Sequence, residues 1–188
     1  MKNLSEKQPL NRPMPKWFTF LWMLGLLVCL STSCVTDGEE DEPSVGTDLV
    51  VGDPIPDFSV TMSDGRRIDD EALLGQVSLI VFFHTGCKDC QKELPVVQRF
   101  YDSYPQYPVV CVSRAETENS IAGYWKENGL TLPYSAQSDK TVFRLFATQS
   151  IPRVYVVDAE GIIRAIFTDN PLATFEQLED AARMAESK

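Results

Sequence analysis

Two cysteines three positions apart, Cys87 and Cys90, stand in the stretch FFHTGCKDCQKELP, where an apolar run meets a polar one. Structural zinc takes four Cys or His ligands, commonly as two paired spacings. Past the leader-like N-terminus and the tether after it, only His84 and Cys111 remain to complete such a set. Covalent haem attachment needs a histidine directly after the second cysteine, and Gln91 holds that place. A structural disulfide is open to a chain sent to an oxidising compartment, but it would close a loop of a few residues, and cross-link stabilisation grows with loop length. A redox couple accounts for position as well as spacing. With a strand ending near His84 and a helix starting at Lys88, Cys87 lies at a helix N-terminus, where unpaired N–H groups and the macrodipole favour the nucleophilic thiolate. Cys90, one turn deeper, is placed to resolve a mixed disulfide. Lys88 supports the Cys87 thiolate and Asp89 opposes it, so the dipeptide between the cysteines does not set a redox potential.

The helix after the pair carries a further candidate. On a 3.6-residue wheel, Leu94, Val96, Val97, Phe100, Tyr101 and Tyr104 form one apolar arc, with Gln91, Lys92, Gln98, Arg99 and Asp102 opposite. Glu93 falls in the middle of the apolar arc. Desolvation there raises a carboxyl's pKa and makes it a proton acceptor for Cys90; the alternative is a glutamate that reaches out to water or to a lysine. Pro95 lies inside the same helix, where it removes a backbone N–H and kinks the chain. His84, the one histidine, is either packed at the strand end or close enough to bias Cys87. Cys111, within VVCVS, reads as a small buried hydrophobe, and Cys29 belongs to the leader.

Short β-like runs (FSVTM, VSLIVFFH, YPVVCVS, VYVVD, IIRAIF) alternate with helical patterns near 88–104, 117–128, 139–147 and 172–186. The run Val77 to Phe83 is too continuously apolar for a sheet with one wet face, so helices should cover both sides. Asp158-Ala159-Glu160-Gly161 between two β-runs reads as a hairpin turn, which makes the last two strands antiparallel. The reading is one mixed α/β domain spanning 49–188.

What precedes it reads as an address. Residues 1–16 carry Lys2, Lys7, Arg12 and Lys16 against a single Glu6, and Trp17 to Leu30 is an apolar run of 14 residues followed by Ser31, Thr32, Ser33 and Cys34. This is the pattern of a secretory signal over 1–33; a spanning helix wants about 20 apolar residues. Small residues before Cys34 resemble a lipoprotein cleavage site, although Ser31 stands where leucine is usual. Lipidation of Cys34 is the expectation, with ordinary cleavage and a free thiol as the alternative. In the lipoproteins that this site resembles, Asp after the cysteine marks inner-membrane retention, so Val35 in that place makes the outer membrane the expectation. The acidic stretch 34–48 has almost nothing to bury and reads as a flexible tether, with an r.m.s. reach of about 20 Å. From Cys34 onward there are 13 Lys and Arg against 26 Asp and Glu, which disfavours a nucleic-acid partner.

The segment FFHTGCKDCQKELP resembles the active site of thioredoxin-fold thiol-disulfide oxidoreductases of the TlpA/ResA type, in which a strand leads to Cys-x-x-Cys and then Cys-x-x-Glu-x-Pro, here Cys87, Cys90, Glu93 and Pro95. VGDPIPDFSVTMSDGRRI resembles that family's N-terminal hairpin and SIPRVYVVDAEGIIRAIF its cis-proline and hairpin segment. The resemblance implies a thioredoxin fold with a mixed central sheet, helices on both faces and an N-terminal β-hairpin extension. It implies a cis Ile151-Pro152 bond facing the cysteines, with the Ile151 backbone pairing with an extended substrate. It further implies an extracytoplasmic, often membrane-tethered protein that exchanges disulfides with protein substrates, more as reductase than oxidase; with the Cys34 site, the reading is a lipid-tethered monomer recharged by an upstream redox partner and needing no metal or organic cofactor. Two positions depart from the pattern: Gly86 replaces an aromatic residue before Cys87, and His84 replaces a small one. A peroxiredoxin-like peroxidase, which needs Thr or Ser where His84 stands, and a copper-binding module using Cys87, Cys90 and His84 as soft ligands are the rivals.

Overall fold

The computed structural model describes residues 47–187; the expected signal segment, Cys34 and nearly all of the expected tether lie outside the described residues. The organising strand is β3 (Ser78–Phe83), buried at every position. Parallel to it runs β4 (Val109–Ser113), itself paired in parallel with the two-residue β5 (Tyr134–Ser135). On its other side β6 (Arg153–Val157) and β7 (Ile163–Phe167) are antiparallel, giving the order β5-β4-β3-β6-β7. The turn between β6 and β7 is held by the buried Asp158, whose Oδ1 accepts the N–H groups of Glu160 and Ile162 at 2.9 Å each while Gly161 takes φ 80°. This is the mixed sheet and terminal hairpin expected from the apolar runs.

Successive residues of a strand point to opposite faces, and Phe82 and Phe83 show that both faces are covered. Phe83 meets Trp125 of α2 (Glu118–Asn128), with ring centroids 5.0 Å apart. Phe82 meets Phe143 and Phe146 of α3 (Thr141–Phe146) at 5.5 and 5.0 Å. The long helix α1 (Lys88–Ser103) runs unbroken through Pro95 and buries Cys90, Glu93, Leu94, Val97 and Phe100. Against it lies α4 (Phe175–Glu186), where Tyr104 stacks on Phe175 and the Arg99 guanidinium sits 3.8 Å from the same ring. Thr174 and Gln177 form a reciprocal capping box that fixes the start of α4.

The N-terminal extension covers part of each of the sheet's two edges. The hairpin of β1 (Ser59–Thr61) and β2 (Arg67–Asp69) is tied to β5 through Ser63 N–H to the Tyr134 carbonyl (2.6 Å) and Ser135 Oγ to the Thr61 carbonyl (2.7 Å). On the far edge, Gly52 N–H donates to Ile163 O, Ile163 N–H to Asp53 O and Ile55 N–H to Gly161 O, each at 2.9 Å. Unpaired edges invite pairing with another chain, and these contacts remove that invitation on part of each edge.

The same extension is wired to the loop that leads into β6. Asp48 accepts the N–H and the hydroxyl of Thr148 at 2.7 Å each and is ion-paired with Arg153, whose Nε donates to the carbonyls of Gln149 and Ser150 at 3.2 Å. The Thr148 N–H, aided by its hydroxyl and Arg153, holds the Asp48 carboxyl below its usual range. Arg153 is buried, and stripping a buried charge of its partner is costly. Replacing Asp48 by alanine is therefore expected to lower unfolding stability by about 2 kcal/mol at neutral pH, the half-exposed carboxylate placing the loss below that of a fully buried pair. An unchanged urea midpoint would show that the pair does not hold this loop.

Candidate active site

The chain leaves β3, turns through His84-Thr85-Gly86 and enters α1 at its N-cap, Cys87. The turn is closed by Cys87 N–H to His84 O (3.0 Å), and the Gln91 side chain donates to the Thr85 carbonyl (2.8 Å). The cap is the cysteine's own sulfur, which accepts the N–H of Cys90 at 3.4 Å. An orphan helix donor thus points at the Cys87 sulfur, at the helix start where the sequence reading placed it. Cys87 is half-buried, Cys90 fully buried, and both are free thiols. Burial, and then the neighbouring Cys87 sulfur, push the Cys90 thiol above its ordinary range, while Arg114 acts in the opposite sense. Asp89, expected to oppose the thiolate, is paired with Lys92 at 2.8 Å.

The Ile151-Pro152 bond is cis and faces the pair: Cys87 Sγ lies 3.6 Å from the Ile151 carbonyl oxygen. Ser150, just before, has φ 65°. A second cis bond, Asn170-Pro171, lies in the loop before α4 and was not anticipated.

Glu93 is where the wheel put it, 2% exposed, and neither carboxyl oxygen has a hydrogen-bond partner. Desolvation raises its pKa from 4.5 to about 7; the amide of Ala173 opposes the shift without reaching hydrogen-bond geometry. It sits one helical turn beyond Cys90 on the same buried face, yet neither sulfur is among the groups that shift it. Cys111 is buried in β4, and desolvation raises its thiol well above the usual range.

Three neighbours of the pair gave no signal in the sequence. Glu116, buried in the loop after β4, accepts the Thr85 N–H at 2.8 Å, the Thr85 hydroxyl, and the Ser120 hydroxyl at 2.7 Å. Arg114 stands at the end of β4, its N–H donating to Phe83 O (2.8 Å) and its guanidinium 5.4 Å from the Phe143 ring, with Nε buried and unpartnered. Tyr124 of α2 lies within electrostatic reach of Cys90. His84 is not packed into the core: its ring is 38% exposed, and Nδ1 accepts the Gly86 N–H at 3.0 Å. Among the described residues, no group of three or more His, Cys, Asp or Glu comes together as a metal cage.

A Cys-x-x-Cys dithiol on the first turn of the helix that follows the central strand, one sulfur half-exposed and one buried, opposite the cis-proline turn that leads into the neighbouring strand of a thioredoxin-type sheet, is the arrangement of the thiol-disulfide oxidoreductases. Residues 51–166 match the AhpC/TSA family profile, and the chain belongs to that family. It is 26% identical over 134 residues to the thiol-disulfide oxidoreductase ResA of Bacillus cereus, covering 70% of this chain and 76% of ResA. The crystal structure of StoA from Bacillus subtilis superposes with a TM-score of 0.59 at 25% identity, over 68% of this chain and 96% of StoA. The thioredoxin domain of a thiol-disulfide oxidoreductase from Bacteroides vulgatus gives 0.63 at 21% identity, over 74% and 100%.

Proposed function

We propose that this protein is an extracytoplasmic thiol-disulfide reductase in which Cys87 attacks, Cys90 resolves, Glu93 takes up the proton and the Ile151-Pro152 turn holds the substrate chain. The observation that carries the reading is the sulfur of Cys87 as the cap of α1, accepting the Cys90 N–H and facing the Ile151 carbonyl. The thiolate of Cys87 attacks a substrate disulfide, forming a mixed disulfide and releasing one substrate thiolate. Cys90, losing its proton toward Glu93, attacks the Cys87 sulfur and releases the second. The protein is left with a Cys87–Cys90 disulfide and the substrate with two thiols, so a dithiol donor upstream must return two electrons per cycle.

The order of events follows from burial. A deprotonated Cys90 is disfavoured by desolvation, so Cys87 reacts first and Cys90 follows once a base is at hand. An extended substrate laid across Ile151 would reach the carbonyl that the Cys87 thiol now contacts.

The leader-like N-terminus, the small residues before Cys34 and the acidic stretch after it support a lipid-anchored protein facing the periplasm or cell surface, on the outer membrane. No helix among the described residues is long and apolar enough to cross a membrane. The covered sheet edges support a monomer.

With dithiothreitol as donor, the protein is expected to accelerate reduction of insulin disulfides. Rates with hydrogen peroxide as acceptor should stay at background, and a peroxide rate exceeding the insulin rate would replace this reading with the peroxidase one. In cells, Cys34→Ala should move the protein from the membrane fraction to the soluble periplasmic fraction; a wild type found wholly in the inner membrane would overturn the placement. Disulfide-linked partners captured on Cys90→Ser protein would name the substrate.

A further inference from the structure

The turn between β3 and Cys87 holds two acceptors close together. His84 Nδ1 accepts the Gly86 N–H at 3.0 Å and lies 3.8 Å from Glu116 Oε2, which itself accepts the Thr85 N–H at 2.8 Å. An imidazole nitrogen that accepts a hydrogen bond carries no proton, so the geometry belongs to the neutral ring. Gly86 and His84 are matched sterically as well. A Cβ on residue 86 would come within 3.2 Å of Nδ1 and 3.3 Å of Cε1, so the ring occupies the space that a side chain before the nucleophile would need.

Resting on the redox reading above, we propose that His84 is a positioning residue for Cys87. Neutral, its Nδ1 fixes the Gly86 peptide and with it the approach to the N-cap sulfur. Protonated, the same nitrogen becomes a donor, releases the Gly86 N–H and turns to the Glu116 carboxylate, leaving the Gly86 peptide without that tie. Exchange is thereby coupled to local acidity through the geometry of the turn, separately from proton transfer at Glu93. The groups acting on this corner are Glu116 and Arg114 from the segment after β4, Cys87 and Cys90 from α1, and Tyr124 from α2. Glu116 is the carboxylate among them, and it is already fixed by Thr85 and Ser120.

The test compares wild type with His84→Asn, whose amide oxygen can accept the Gly86 N–H without titrating, and with His84→Ala, which cannot accept it. The Gly86 amide resonance of the reduced full-length protein is followed between about pH 5 and 8. In wild type it should move with the His84 ring resonances; in His84→Asn that component should vanish. In exchange assays, His84→Asn should match wild type at the alkaline end and exceed it at the acid end by about three-fold, the worth of one hydrogen bond. His84→Ala should be slower than both at the alkaline end by a similar factor. A Gly86 resonance that ignores the ring, or three proteins with superimposable rate profiles, would overturn the proposal. The resonance does not depend on turnover, so its outcome is separate from that of the redox reading.

Discussion

Cys87→Ser protein is expected to reduce insulin no faster than dithiothreitol alone, whereas reduced Cys90→Ser protein, mixed with insulin without dithiothreitol, should react once and stop. The difference follows from where the helix places each sulfur. Cys87 is half-exposed and capped onto the first turn of α1, so it is the atom that a substrate disulfide can reach and the one whose negative charge the helix supports. A serine hydroxyl there is not ionised at working pH and cannot attack sulfur at a useful rate. Cys90 is inaccessible, and its substitution leaves the first step intact while removing the second. Mixed disulfide should therefore accumulate on Cys87 at close to one per protein. Mixed disulfide accumulating equally on the two variants would mean that the sulfurs are interchangeable and that burial does not order the steps.

Glu93→Gln is expected to change how stability depends on pH. The folded protein holds the Glu93 proton to about pH 7, against an ordinary value of 4.5, because the carboxyl is buried without a partner. Below about pH 4.5 folded and unfolded states both carry the proton, and the full stability is present. Between the two values the unfolded chain has lost the proton and the folded one keeps it, so stability falls as pH rises, by about 3 kcal/mol in all, and the fall is complete above about pH 7. The glutamine variant lacks this slope. Whatever constant cost its unpartnered amide carries, the stability of the variant relative to wild type should climb by about 3 kcal/mol between pH 4.5 and 8 in urea unfolding. The same substitution should slow thiol-disulfide exchange near neutral pH, since it removes the group proposed to take the Cys90 proton. A pH-independent stability difference together with superimposable rate profiles would reduce Glu93 to an ordinary helix residue.

The sequence was most legible where one residue type answers one physical demand. The continuous apolar run of β3 called for burial on both faces, and Phe82 and Phe83 indeed pack against different helices. Glu93 was visible because a carboxylate in an apolar arc breaks a simple pattern, and it is buried as that pattern implied. Glu116 was invisible because SRAETENS is polar but for Ala115 and holds two glutamates, so nothing sets one acidic residue apart; its burial arises only when the end of β4 brings it beneath Thr85. β5 was missed for a related reason. Two residues, Tyr134 and Ser135, show no periodicity, and they pair with β4 because α2 returns the chain to that edge. The Ile151-Pro152 geometry was reached by resemblance, while nothing in DNPLAT marked the Asn170-Pro171 bond. His84 was read as packed or electrostatic, and its acceptor role depends on a turn whose shape no local pattern specifies.

The central claim, that Cys87 and Cys90 form a two-electron couple in which Cys87 attacks first, is tested most directly by one quenched-flow experiment. Reduced wild-type protein is mixed with a small peptide disulfide, stopped with acid at intervals, alkylated, and mapped by mass spectrometry. The account predicts a transient peptide adduct on Cys87 that decays into a Cys87–Cys90 disulfide while Cys111, buried in β4, remains a thiol. An adduct that forms first on Cys90 or on Cys111, or oxidation that never closes the Cys87–Cys90 bond, would contradict it.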